Sequence, residues 1–257
     1  MSDLKWWQTA IFYQIYPRSF ADGDGDGIGD FPGMTAKLDY LKSLGVDALW
    51  LSPHFPSPNW DCGYDISDYE NVAPEYGTLD DFKTFLAAAH ARGLKVILDL
   101  VLNHTSDEHP WFLESKSSRT NPKADWYIWR DKPNNWQSMT GGSGWHHAKE
   151  RGQYFWSSFL PFQPDLNYRN LEVKKAMFDT VRLWLGRGVD GFPLDIFNVI
   201  YKDAQYRNNP FSFRLVPTDE DPSSFFQEPK YTINQPESFA FAREFRSVCD
   251  EFGEKLS

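Results

Sequence analysis

The chain has 257 residues, 41% of them apolar, and a net charge of −10. That is room for one large domain or a domain with an insert, and the absence of basic runs excludes nucleic acid as a partner. No stretch approaches the ~20 apolar residues a membrane span needs, no signal-peptide apolar segment follows Met1, and two cysteines, Cys62 and Cys249, suit a reducing compartment; a soluble cytoplasmic protein is expected.

In chain order, residues 11–17 (IFYQIYP) read as a first strand, followed by an acidic glycine loop at 21–30. Residues 33–44 carry helical spacing, with Leu38, Leu41 and Leu44 on one stripe and Gly45 as C-cap. Residues 46–52 (VDALWLS) read as a second strand, and 79–92 as a helix opened by Thr78 and closed by Gly93. The apolar run 94–101 (LKVILDLV) predicts a buried parallel strand. Residues 171–187 predict another helix, 189–195 a fourth strand, and Glu237–Phe252 a last helix. Strands alternating with helices imply βαβ units and a parallel sheet. The gap between strands three and four is about twice the earlier ones and predicts an inserted subdomain. The expected divisions are 1–103 for the first part of the barrel, 104–170 for the insert and 171–257 for the barrel continued. Four strand–helix units make half of a (β/α)₈ barrel, and residues 253–257 look like the start of a fifth strand.

Aromatics reach 17%, with 11 Trp, 12 Tyr and 21 Phe. Such rings serve either as extra core packing or as stacking platforms for sugars.

Asp22, Asp24, Asp26 and Asp30 stand at alternate positions with glycines between them, except that Ile28 takes one place. Carboxylates so spaced converge oxygens on a hard cation. The loop begins like an EF-hand, but position twelve falls at Gly33 in place of the bidentate glutamate. Ca²⁺ is the expected ion, Mg²⁺ the alternative, in a structural role; a solvated acidic turn is the other reading.

Three segments sit where barrel enzymes keep their chemistry, at the C-terminal ends of strands. Asp61-Cys62-Gly63-Tyr64-Asp65 follows strand two and offers a carboxylate for sugar hydroxyls and a ring to stack on a pyranose; alone it also reads as a turn around a buried tyrosine. Asp99 points a carboxylate inward at the tip of strand three, which is costly unless it is paired, and His104 follows it. Gly191-Phe192-Pro193-Leu194-Asp195 puts Gly191, Pro193 and Asp195 on one face and Phe192 and Leu194 on the other. Pro193 has no N–H and fits a central strand badly. His146 and His147 have no partner at a ligand spacing and read as surface or cleft residues.

IFYQIYPRSF, DGDGDGIGDF, WLSPHFPSP, DCGYDISDY, DLVLNHTSDEHPWF, QPDLNY and GFPLD occur in that order. Together they resemble glycoside hydrolase family 13, the α-amylase family, in its oligo-1,6-glucosidase/α-glucosidase branch. The resemblance implies an N-terminal half of a (β/α)₈ barrel with an inserted domain B. It makes Asp195 the catalytic nucleophile of a retaining hydrolase. Asp61, Tyr64, Asp99 and His104 match the glucose pocket at the non-reducing end, Phe159 an aromatic wall of it, and Gln163 begins the short motif that marks the branch. Asp22, Asp24, Asp26, the carbonyl of Ile28 and Asp30 match the metal loop. Ile196, β-branched like the valine of α-1,6-active members, leans toward isomaltose-type substrates. The implied partner is an α-glucoside disaccharide or oligosaccharide.

Two departures from the family bear on activity. Pro193 stands where the family has an arginine that keeps the nucleophile ionised. The acid/base glutamate of strand five lies beyond these residues, and Glu237 matches a segment ahead of the last helix. The residues given therefore read as an inert part of an α-glucosidase, which would associate through exposed barrel edges. The alternatives are a non-catalytic relative that binds sugar or a partner, and a hydrolase completed by another chain.

Overall fold

A computed structural model describes residues 4–194, 196–218 and 221–256. The chain divides into two compact units, one of 1–101, 178–195 and 244–257, the other of 102–177 and 196–243. The segment 196–243, given above to the barrel, thus groups with the insert.

The first unit is built on β1 (Phe12–Ile15), β2 (Ala48–Leu51) and β3 (Lys95–Leu98), which are parallel and in that order. Phe12 stands opposite Ala48, and Ala48 opposite Lys95. A fourth position is taken by Gly191, bridged to Ile97, and a fifth by Leu256, bridged to Gly191. The short helices α1 (Pro17–Phe20), α2 (Phe31–Ala36) and α3 (Leu38–Ser43) lie between β1 and β2. The single helix expected at 33–44 is two: Asp30 caps an earlier start, and the Lys37 N–H closes α2 onto Met34 and Thr35. Leu38 and Leu41 are fully buried, but Leu44 at the end of α3 is exposed.

Helix α4 (Leu79–Ala91) begins at a capping box in which Thr78 and Asp81 each accept the other's backbone N–H. It buries Phe82, Phe85, Leu86 and Ala89, one face at helical spacing. Trp184, from α6 (Leu171–Gly186), meets Phe82 edge to face at 5.2 Å. Helix α7 (Glu237–Asp250) brings Phe245 against Phe192, with ring centroids 6.2 Å apart.

The expected fourth strand, 189–195, is reduced to the single bridge at Gly191. Gly191 has φ +152°, and a Cβ there would lie 2.4 Å from the Leu256 carbonyl oxygen. The Leu98 N–H reaches the Gly191 carbonyl at 3.1 Å, and the Phe192 N–H reaches Leu256 at 3.1 Å. Alternation next turns the nitrogen of residue 193 back toward β3, where the Leu98 carbonyl is next in line. Proline has no hydrogen to give it.

The second unit contains α5 (Pro110–Ser117) and an antiparallel sheet of β4 (Trp129–Arg130), β5 (Trp145–Ala148) and β6 (Gln153–Trp156), with β6 in the centre. Its core is Ile128, Trp136, Trp145 and Trp156, with Tyr154, Tyr206 and Tyr231 packed against it. The buried indoles keep hydrogen-bond partners: Trp136 donates to the Arg207 carbonyl at 2.7 Å and Trp145 to Asn134 at 2.8 Å. Many of the insert's aromatics are therefore core. On β5, His146 is half-buried and His147 exposed.

Candidate active site

The residues singled out for a glucose pocket divide between the units, with Asp61, Tyr64 and Asp99 in the first and His104, Phe159 and Gln163 in the second. Asp195 lies outside the described residues.

In the first unit, Asp99 follows β3 directly, and its N–H still bonds the Leu51 carbonyl at 2.9 Å, so the tip of the sheet holds it. Its side chain is 2% exposed and accepts the Tyr64 hydroxyl at 3.1 Å. β2 and β3 are parallel, so the loops after them leave the same edge of the sheet. Within the β2 loop the organiser is Asp65, which the sequence reading passed over. Fully buried, it accepts from the Ser57 hydroxyl at 2.8 Å and from the Trp60 and Asp61 N–H groups at 3.1 Å each. Gly63, with φ +96° and a would-be Cβ 3.1 Å from the Pro53 carbonyl, turns the chain toward Tyr64. Asn59 and Cys62 take left-handed φ values of 62° and 54° without being glycine. Asp61 is half-buried, and its carbonyl accepts from the Tyr64 N–H at 2.9 Å.

Strand four is anchored by Asp190, also missed by the sequence reading. Burial pushes its carboxyl up, but His90 at 2.7 Å, the Val96 N–H at 2.9 Å and Lys95 at 3.1 Å together carry it below the ordinary value.

In the second unit, His104 is 3% exposed, with its ring centroid 5.4 Å from that of Phe159. Gln163 is fully buried, and its Oε1 accepts the Leu160 N–H at 3.1 Å, which pins the turn before the 163–167 motif. Residues 103–105 pair with 164–166: the Leu166 N–H meets the Asn103 carbonyl at 3.0 Å, and His104 bridges Asp165. Asp165, fully buried, accepts from the Ser158 N–H at 2.8 Å and hydroxyl at 2.5 Å and pairs with the Lys202 ammonium. Burial pulls Lys202 below its ordinary pKa against the opposing attraction of Asp165. Ile196 has φ 44°, a strained value for a β-branched residue and the kind of outlier that collects at functional sites.

A cavity of about 230 Å³ in the second unit is lined by Met139, Trp156, Ser158, Val199 and Gln227 among others. Among the described residues, none of the candidate site residues lines it and its wall has no titratable side chain.

At the acidic loop, the carboxylates of Asp22, Asp24 and Asp30 converge to within 4.8 Å of one another. Asp26 stays outside that group and accepts the Ile28 N–H at 2.7 Å. Backbone N–H groups of Gly25 and Gly27 bond Asp22 and hold its carboxyl below the ordinary range. Asp30 is oriented by Gly33 at 2.6 Å and Gly23 at 3.0 Å. Three hard oxygen donors carrying a net −3 fit a hard divalent cation.

The sequence matches the family described as alpha amylase, catalytic domain, over residues 14–256. The chain belongs to the alpha-amylase family. It is 50% identical to a probable alpha-glucosidase of Rhizobium meliloti, over 97% of this chain and 47% of that protein. It is 47% identical to an oligo-1,6-glucosidase of Parageobacillus thermoglucosidasius, over 96% of this chain and 44% of that protein. Among solved structures, the alpha-glucosyl transfer enzyme XgtA superposes with a TM-score of 0.94 at 49% identity, covering 99% of this chain and 50% of that one. The trehalose-6-phosphate hydrolase TreA of Bacillus licheniformis gives 0.89 at 40% identity, covering 98% and 44%. The chain thus spans about half the length of the relatives it matches, as the N-terminal half of a (β/α)₈ barrel with an insert after β3.

Proposed function

We propose that this chain carries the nucleophile half of a retaining α-glucosidase that acts at the non-reducing end of isomalto- or malto-type glucosides. The observation that carries the reading is the Tyr64–Asp99 bond at the C-terminal tips of parallel strands. Identities of 47–50% to proteins named alpha-glucosidase and oligo-1,6-glucosidase support it. In the proposed chemistry the Asp195 carboxylate attacks the anomeric carbon, and a second carboxylic acid ~5 Å away protonates the leaving oxygen before water resolves the glycosyl-enzyme. No residue of this chain is assigned that acid, and proline stands at position 193, where the resemblance implies an arginine beside the nucleophile. The 257-residue chain by itself is therefore proposed to turn over no glucoside.

We assign Ca²⁺, with Mg²⁺ as the alternative, a structural role at Asp22, Asp24 and Asp30. Among the described residues no helix is long and apolar enough to cross a membrane. Cys62 and Cys249 form no disulfide among the described residues, which supports the cytoplasm as the proposed location.

The test is p-nitrophenyl α-glucoside hydrolysis by the purified chain, with isomaltose titration alongside. Binding without turnover is expected. Turnover abolished by Asp195→Asn would overturn the inert reading, and absence of any sugar binding would overturn the pocket. Binding that survives Asp195→Asn, with no turnover after Pro193→Arg in a chain extended through strand five, would favour the sugar-binding relative.

A further inference from the structure

Asn103, His104, Asp165 and Lys202 form one buried network in the second unit, with exposures of 2%, 3%, 0% and 4%. The Lys202 ammonium has donors only, and it meets the Asn103 Oδ1 at 2.9 Å as well as the Asp165 carboxylate. That contact decides which way the Asn103 amide faces: its oxygen is toward lysine, so its NH₂ is on the other side. The NH₂ lies 3.3 Å from the His104 Nδ1. An amide NH₂ can only donate, so Nδ1 must accept. A neutral imidazole whose Nδ1 accepts carries its proton on Nε2.

We propose that Lys202 and Asn103 are positioning residues that lock His104 in the Nε2–H form. Asp165 completes the device. It pairs with the Lys202 ammonium, its backbone pairs with that of His104, and Ser158 holds its carboxylate.

The experiment is long-range ¹⁵N–¹H correlation of ¹⁵N-histidine in the full 257-residue chain at pH 7.5. His104 is assigned among the six histidines by His104→Gln. The expected result is a protonated Nε2 and an unprotonated Nδ1. A free imidazole also leans that way, so the discriminating arm is Asn103→Asp. Its carboxylate still satisfies Lys202 but can only accept on the histidine side, and His104 should then gain a proton on Nδ1, as the other tautomer or as imidazolium. The signals of the other five histidines report that the variant is folded. A proton on Nδ1 in the parent chain, or an unprotonated Nδ1 in folded Asn103→Asp, would overturn the proposal. Neither readout involves turnover or sugar, so failure of the glucosidase reading is seen separately in the assays above.

Discussion

His54 in the first unit and Lys202 in the second are both buried bases, and they are handled in opposite ways. His54 is fully buried. It stacks on Phe82 at 5.4 Å and 2° and meets Phe31 and Trp184 edge on, and neither ring nitrogen has a hydrogen-bond partner among the described residues. Burial, aided by Arg187, lowers its pKa to about 3, so it lies there as a neutral flat ring. Lys202 is instead met by Asp165 and Asn103. A base with a low intrinsic pKa can enter an apolar core by giving up its proton, whereas a lysine needs an anion brought in with it. The first solution builds a scaffold; the second builds an oriented polar centre beside a candidate site residue.

The sharpest way to break this contrast is Lys202→Met. It strands the Asp165 carboxylate in the core, and loss of one partner of a buried pair costs ~3–5 kcal/mol. Urea unfolding should show that loss, and the double variant with Asp165→Asn should recover part of it. Equal stability of the single variant and the parent would mean that the pair is not buried in solution.

A smaller effect is expected at His54, and it depends on pH. Its folded pKa of about 3 lies below the ordinary 6.5, so between those values the unfolded chain binds a proton that the folded chain refuses. Stability is then complete above pH 6.5 and falls as the pH drops, by up to ~1.4 kcal/mol per unit from this group. His54→Leu should flatten that part of the stability curve. An unchanged slope would show that the imidazole finds a partner or solvent.

The smallest effect belongs to the acidic loop, where exposed carboxylates have water as an alternative to a cation. Asp22 and Asp24 are exposed and Asp30 buried, and none forms an ion pair among the described residues. Chelation with EDTA should lower the thermal midpoint by ~2–4 °C, the shift that ~1 kcal/mol produces in a domain of this size. Added Ca²⁺ should restore it. An indifferent midpoint would remove the metal.

Much of this protein could be read from its residues alone, wherever a local rule carries over unchanged into the fold. The apolar runs at 12–15, 48–51 and 95–98 became parallel strands, because buried strands need apolar side chains on both faces. Helices α4, α6 and α7 appeared where one apolar stripe recurs, and the motif order identified the family. Tyr64 and Asp99, 35 residues apart, were named separately and meet in space. What tertiary structure alone decided lies where partners are distant in sequence or where one backbone atom is missing. Gly191 and Pro193 cut a strand-like stretch down to one bridge, because sheet pairing depends on the neighbour's register as well as on side-chain pattern. Asp26 has the same spacing as Asp22 and Asp24, yet it is Asp30, farther along the chain, that the fold brings within 4.8 Å of those two. Asp65, Asp190 and the Lys202–Asp165 pair carry no local signature: a charged residue reads as surface until the fold surrounds it, and only the fold supplies the N–H groups and counter-charges that allow it to be buried.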